Sequence, residues 1–317
     1  MRAVVIDGFG GPEELHLAEV PVPPVGATDV LIAVRAAGLG SWDKDERAGG
    51  FADEYATPPA FPYILGWDGA GEVVEVGRDV ERFSPGDLVY AATTAAPRGG
   101  FYAERTVVGQ EHVALIPDGI PIDQAGAMAW DSLTAMSGLE ALALQPGETL
   151  LVFGASGGIG HFAVQLARRW GVRVIAVASG ADGVALCRRL GADLVIDGRR
   201  ESITDAVNTA APDGLDAVLL TAGGPASDEV LSLLKPAGRA ACPHGVDPIP
   251  GEGSAVPVRF YSGDRSRDGF DRLARLVADG DYEVALAARF AFAEAADAHR
   301  ALAGHYAGKM VLIPNGR

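Results

Sequence analysis

The run Gly154-Ala155-Ser156-Gly157-Gly158-Ile159-Gly160 is the stretch whose residue types and spacing imply chemistry most directly. With so few side chains, its backbone can come close to a ligand. A short apolar, β-rich run, Thr149–Phe153, precedes it, and Phe162, Val164, Leu166 and Ala167 follow at helical spacing. Strand, tight turn and helix in that order aim unpaired amides at whatever sits before the helix, and a pyrophosphate fits there. The spacing predicts a dinucleotide site in which the amides of Ser156, Gly157, Gly158 and Ile159 hold the phosphates. A glycine-rich turn that binds nothing is the bland alternative, and the flanking βα units argue against it.

The elements that must position this turn follow from the rest of the chain. Strand-like runs at 149–153, 173–178, 193–196, 216–220 and 239–242 alternate with helical patterns at 158–170, 182–190, 202–210 and 226–234. Such alternation predicts a parallel sheet with helices on both faces, and ligands bind beyond the carboxyl ends of its strands. The loops at 178–181, 221–224 and 243–246 should open there, which brings forward Ser179, Thr221, His244 and Gly245. Residues 1–122 read instead as short strands between turns, such as Val30-Leu31-Ile32-Ala33-Val34 and the turn Pro85-Gly86-Asp87. That texture predicts an antiparallel, partly open β-barrel. Within it, residues 38–62 read as a long irregular section, and loops of that length are usually functional. Residues 123–144 read as two short helices. After about Val256 the pattern is mixed: helices around 270–277 and 295–303, then a last strand at Lys309–Ile313 expected to fold back onto the first domain. The boundaries read from sequence are therefore 1–122, 123–256 and 257–317.

Composition narrows the function classes. The 317 residues are 48% hydrophobic, enough for two cores, and the formal net charge is −16. An acidic chain is a poor partner for nucleic acid or an anionic membrane surface, and Arg168-Arg169 and Arg199-Arg200 are pairs rather than patches. Cys187 and Cys242 are the only cysteines, too few for a disulfide scaffold or a thiolate zinc site. The first residues, MRAVVIDGFG, lack the apolar core of a signal peptide, and no apolar run approaches a membrane span. The expectation is a cytoplasmic protein.

The chain resembles the medium-chain dehydrogenase/reductases, in their zinc-independent quinone oxidoreductase branch. The markers are MRAVVIDGFGGPEEL, Pro85-Gly86-Asp87, Gly100 to Glu104, Ile116-Pro117-Asp118-Gly119, Leu133-Thr134-Ala135, Gly154 to Gly160, Leu190-Gly191-Ala192-Asp193 and Gly308-Lys309. They span nearly the whole length. The resemblance implies an α/β fold made of a GroES-like catalytic domain, a Rossmann domain and a C-terminal return. It also implies a homodimer through the Rossmann domain.

Zinc-dependent relatives carry Gly-His-Glu where this chain has Gly66-Trp67-Asp68, and a cysteine about where it has Ser41. A catalytic zinc needs about three protein ligands, and Trp67 cannot be one, so no metal is expected. The second Rossmann strand ends Val177-Ala178-Ser179-Gly180, without the acid that usually holds an NAD ribose. Ser179 could donate to a 2′-phosphate and Arg199 could supply charge, so NADP(H) is the expected cofactor. From the resemblance, Thr134 and Lys309 are further cofactor contacts.

Hydride transfer without a metal needs an acceptor already activated, such as a quinone or an α,β-unsaturated carbonyl. Asp43 matches a family aspartate, although the preceding Gly40-Ser41-Trp42 departs from the family pattern, and Trp130-Asp131-Ser132 replaces small apolar residues. Asp43, Tyr63 and Asp131 are the catalytic candidates, the two acids for contacting a hydroxylated substrate or relaying a proton. The expected function is an NADPH-dependent, metal-independent reductase of quinones or α,β-unsaturated carbonyls acting on a small molecule. The alternatives are an enoyl reductase or tailoring enzyme of a biosynthetic pathway, and a catalytically inactive NADP(H)-binding sensor.

Overall fold

The computed structural model describes residues 1–317 apart from 54, 56, 58, 95–98, 252–253, 279–280 and 315–317. The chain divides into two units, one of residues 1–130 with 265–317, the other of residues 131–264.

The first unit begins with β1 (Arg2–Ile6), β2 (His16–Glu19) and β3 (Asp29–Leu39), followed by a short helix α1 (Trp42–Arg47). Then come β4 (Tyr63–Ile64), β5 (Asp68–Val76), β6 (Leu88–Ala92), β7 (Arg105–Gly109), β8 (Val113–Leu115) and α2 (Ile122–Ala125). α3 (Ala129–Ala141) contains the boundary between the units. β3 organises this unit. One of its edges pairs with β5, and the other pairs with β7 along its first half. Register shifts at Leu31/Ile32 and Val34/Ala36 bend it, as bulges do. Val30, Ile32, Val34 and Leu39 of β3 point into a core with Tyr63, Phe101 and Tyr102. Burying each large side chain contributes roughly 1.5–3 kcal/mol relative to exposure.

The second unit is a six-stranded parallel sheet. It alternates β9 (Thr149–Phe153), α4 (Gly158–Arg169), β10 (Arg173–Ala178), α5 (Gly180–Arg189), β11 (Leu194–Asp197) and α6 (Ile203–Ala210). β12 (Leu215–Leu220), α7 (Pro225–Leu231), β13 (Leu234–Pro243) and β14 (Val258–Tyr261) complete it. The strand order β11-β10-β9-β12-β13-β14 reverses between β9 and β12, which is the Rossmann arrangement. The fold is thus α/β, a GroES-like partly open barrel with a doubly wound parallel sheet. The chain ends with α8 (Arg267–Val277), β15 (Leu286–Ala291), α9 (Ala295–Ala301) and β16 (Lys309–Ile313). β16 pairs with the second half of β3, at Ala37, Gly38 and Leu39. No helix among the described residues is long and apolar enough to cross a membrane.

Three elements depart from the sequence reading. The section 38–62 holds α1, whose buried face carries Asp43, Glu46 and Arg47, polar residues that gave no apolar period. β14 is a sixth parallel strand, in a region read as mixed; its Arg259 and half-exposed Phe260 break the apolar run expected of a parallel strand. β15 was likewise not foreseen. The unit boundaries also fall later than 122/123 and 256/257. Gly126 lies against Ala36 and the Trp130 N–H donates to Asp68, which ties residues up to 130 to the first unit. β14, and the Asp264 N–H donating to Ser137 Oγ, hold residues up to 264 in the second.

Candidate active site

In the parallel-sheet unit the turn after β9 is shaped by its glycines. Gly154 takes a φ of +79°, which disfavours any side chain. A Cβ on Gly160 would collide with the Gly154 carbonyl and the Ala155 backbone, so only glycine lets α4 come this close to the strand end. Gly157 caps α4 without any side-chain hydrogen bond, leaving the amides of Gly158 and Ile159 for a ligand. Ser156 is buried, its hydroxyl directed at α5 where Gly183 leaves room for it. Thr221 Oγ1 donates to the Phe153 carbonyl at 2.7 Å and lies 3.2 Å from that of Gly154, so it clamps the turn to β12.

Ser179 stands between β10 and α5 and makes no side-chain cap bond. Arg199 is exposed just after β11. The sequence reading missed an acid here: Asp197 ends β11 in register with Ala178. Its Oδ1 accepts the N–H groups of Arg199 at 3.1 Å and Gly180 at 3.4 Å, and its Oδ2 lies 3.8 Å from Arg200. That carboxylate is engaged by the loop's own backbone. His244 is exposed beyond β13, its N–H donating to Tyr261, and Gly245 follows at a φ of +88°. Asp131 and Thr134 are both buried on α3, three residues apart and so on one face. His161 is buried, with Nδ1 bonded to the Gly157 carbonyl at 2.9 Å; it is a packing residue of α4.

In the barrel unit, α1 places two carboxyls in the interior. Asp43 is 0% exposed. Its Oδ2 accepts the Gly40 N–H at 2.7 Å and the Tyr102 hydroxyl at 3.0 Å, while Oδ1 has no hydrogen-bond partner. Burial pushes the Asp43 carboxyl well above the usual carboxylate range; Glu46 and Asp68 add to the rise, while the Gly40 N–H and the Lys309 charge oppose it. Glu46, one turn on, accepts at Oε1 from Tyr55 and Tyr63, each at 2.6 Å, and burial raises its pKa also. The Tyr63 hydroxyl is therefore committed to Glu46 and is held protonated by burial and that neighbour. Lys309 is 2% exposed, with Nζ 5.0 Å from the centre of the Trp42 ring.

Beyond Asp43 stand three residues that the sequence reading passed over. Tyr102 stands within the family marker Gly100 to Glu104, and no local motif marks His299 or Arg47. His299 Nε2 lies 3.3 Å from the Tyr102 hydroxyl and its Nδ1 2.9 Å from Arg47 Nη1. Burial, and then the Arg47 charge, hold the His299 pKa down to about 3. No local sequence signal could have joined positions so far apart.

A zinc ion does not fit here. The Trp67 ring centre lies 4.5 Å from that of Trp130 and 6.0 Å from that of Trp42, an apolar wall where a ligand would be needed. Asp68 accepts the Trp130 N–H at 3.1 Å. Among the described residues, no three His, Cys, Asp or Glu side chains are grouped to hold a metal.

Comparison with known proteins agrees with this architecture. Residues 26–118 match the alcohol dehydrogenase GroES-like domain, and residues 158–257 match the domain called zinc-binding dehydrogenase. The chain is 32% identical to a quinone oxidoreductase of Pseudomonas aeruginosa over 99% of both proteins. It is also 32% identical to a chloroplastic NADPH-dependent alkenal/one oxidoreductase of Arabidopsis thaliana, over 99% of this chain and 80% of that one. Among solved structures, an NAD-dependent alcohol dehydrogenase superposes with a TM-score of 0.88 at 28% identity, over 99% of each chain. With the glycine cradle, the barrel and these likenesses in agreement, the chain belongs to the medium-chain dehydrogenase/reductase family, in its quinone oxidoreductase branch, and is an oxidoreductase.

Proposed function

We propose that the protein is an NADPH-dependent, metal-independent reductase of a quinone or α,β-unsaturated carbonyl. The observation that carries this is the uncapped glycine cradle between β9 and α4, in a chain whose relatives include a quinone oxidoreductase and an NADPH-dependent alkenal/one oxidoreductase. The cofactor, when bound, supplies a hydride. The amides of Ser156, Gly158 and Ile159 hold its pyrophosphate; that of Gly157, expected from the sequence to join them, donates instead to the Gly154 carbonyl at 3.0 Å and closes the turn. Ser179 and Arg199 take the 2′-phosphate, because the nearby Asp197 is already engaged by backbone amides. Thr134, Thr221, His244, Gly245 and Lys309 are assigned to the rest of the cofactor, Thr221 by fixing the turn rather than through a free hydroxyl. Asp43 is the proton source, since its unpartnered oxygen is buried and its acid form is favoured. Asp131 is a second candidate on α3, and Tyr63 supports Glu46.

In this reading residues 1–122 and 257–317 serve substrate binding, Lys309 excepted, and 123–256 serve the cofactor. β14 is an edge strand of the parallel sheet, and a second copy pairing there would give a homodimer. The test is the rate of NADPH and NADH consumption against a panel of quinones, enones and enoyl thioesters. Turnover with NADPH and a quinone or enone is expected. Tight NADPH binding with no turnover across the panel would instead make this a sensor. Selectivity for enoyl thioesters would favour the biosynthetic alternative.

A further inference from the structure

The barrel unit contains a line of buried donors that all point the same way. Arg47 is a donor only. Its Nε is used on the Gly10 carbonyl at 3.0 Å and its Nη1 faces His299 Nδ1 at 2.9 Å. His299 Nδ1 must therefore accept. The buried ring, beside a guanidinium, is neutral, so its one proton is on Nε2, which faces the Tyr102 hydroxyl at 3.3 Å. The Tyr102 oxygen accepts there, which leaves its own hydrogen for Asp43 Oδ2 at 3.0 Å. The Gly40 N–H reaches the same oxygen at 2.7 Å. With two donors on Oδ2, a proton on Asp43 has one place left, Oδ1, the oxygen without a partner.

We propose that Arg47, His299 and Tyr102 form a one-way chain of donors that reserves Asp43 Oδ1 for the proton used in the reduction. This rests on the reading of Asp43 as the proton source and assigns the other three as positioning residues. A bound nicotinamide would supply the hydride that an enone takes at its β-carbon, and the α-carbon would then need a proton. The Asp43 Oδ1–H bond then breaks. Its proton forms the second C–H bond, and its electron pair stays on the carboxylate. The proton must return to Asp43 from solvent between turnovers; Arg47 cannot feed one through His299. The transient carboxylate keeps the Tyr102 and Gly40 donors and faces the Lys309 charge from β16, while Glu46 of α1 and Asp68 of β5 favour its reprotonation.

The test compares the pH dependence of kcat in the wild type, Asp43→Asn, Tyr102→Phe, His299→Leu and His299→Gln with an enone substrate. Asp43→Asn is expected to lower kcat about 100-fold or more and to remove the alkaline limb. Tyr102→Phe removes a donor that stabilises the carboxylate. Its alkaline limb should move to higher pH, and kcat should fall about tenfold. His299→Leu should move the limb the same way but less, and Tyr102→Phe/His299→Leu should match Tyr102→Phe alone. His299→Gln, which keeps one acceptor and one donor, should restore wild-type behaviour. If Tyr102→Phe fails to fold, the His299 pair carries the test, with the Asp43 carboxyl band in infrared difference spectra as a readout independent of turnover. An unmoved limb in Tyr102→Phe and His299→Leu, with Asp43→Asn inactive, overturns the chain and leaves Asp43 as the acid. Wild-type kcat in Asp43→Asn overturns both.

Discussion

His299 should make the barrel unit sensitive to acid, and the effect has a size and a sign. Its pKa is 6.5 in the unfolded chain and about 3 in the fold, where burial and Arg47 disfavour the charged ring. A depressed folded pKa gives stability that is fully present above pH 6.5 and is lost as pH falls towards 3. Each pH unit in that window costs about 1.4 kcal/mol, so about 3 kcal/mol is lost by about pH 4.5 and about 4 kcal/mol by about pH 3. Asp43 and Glu46 act in the opposite direction: their raised pKa values stabilise the fold at low pH, and that contribution fades as pH rises. Acid stability of the wild type alone is therefore a poor measure. The comparison with His299→Gln isolates the histidine, because both proteins retain the two carboxyls and the variant keeps a neutral donor and acceptor. Urea unfolding at about pH 7.5 and about pH 4.5 is the assay. Tryptophan fluorescence is suitable because Trp42, Trp67 and Trp130 lie in the barrel unit and only Trp170 in the other. The wild type should lose about 3 kcal/mol more than His299→Gln between the two pH values. Equal losses in the two proteins would mean that His299 is solvated and titrates normally, and the buried chain to Asp43 would be wrong with it.

Gly160→Ala should weaken NADPH binding at least tenfold in a fluorescence titration and destabilise the fold by about 1–3 kcal/mol, since its methyl meets backbone rather than a movable side chain. Thr221→Val should cost about 1 kcal/mol in urea unfolding through loss of the bond to Phe153, with a smaller effect on the barrel unit. Ser179→Asp should raise KM for NADPH more than tenfold and leave KM for NADH little changed, by placing a carboxylate against the 2′-phosphate; equal effects on both would remove Ser179 from the phosphate site. Dialysis against a chelator should leave turnover unchanged, and activity lost on dialysis and restored by zinc would contradict the account of Trp67 and Asp68.

The Rossmann turn was legible because its physics is local. A strand, a glycine turn and a helix within about twenty residues need only their own backbone, and Gly154, Gly157 and Gly160 stand where the sequence placed them. The parallel sheet was legible up to its fifth strand for a similar reason: buried parallel strands read as unbroken apolar runs. β14, an edge strand with one half-exposed aromatic, had no such run. The polar interior of the barrel unit was out of reach altogether. Asp43 could be marked by its place in a family motif, but no neighbouring residue signals that it is buried or that Oδ1 is left over. Glu46, Arg47, Tyr102 and His299 come from α1, the loop before β7 and α9, and only the closing of β3 against β5 and β16 brings them together. Residue type and spacing therefore determined the glycine turn between strand and helix and the tryptophan at position 67, which cannot ligate a metal. Which carboxyl holds a proton, and on which oxygen, was decided by tertiary packing, because desolvation and hydrogen-bond partners are properties of a site and not of a stretch of chain.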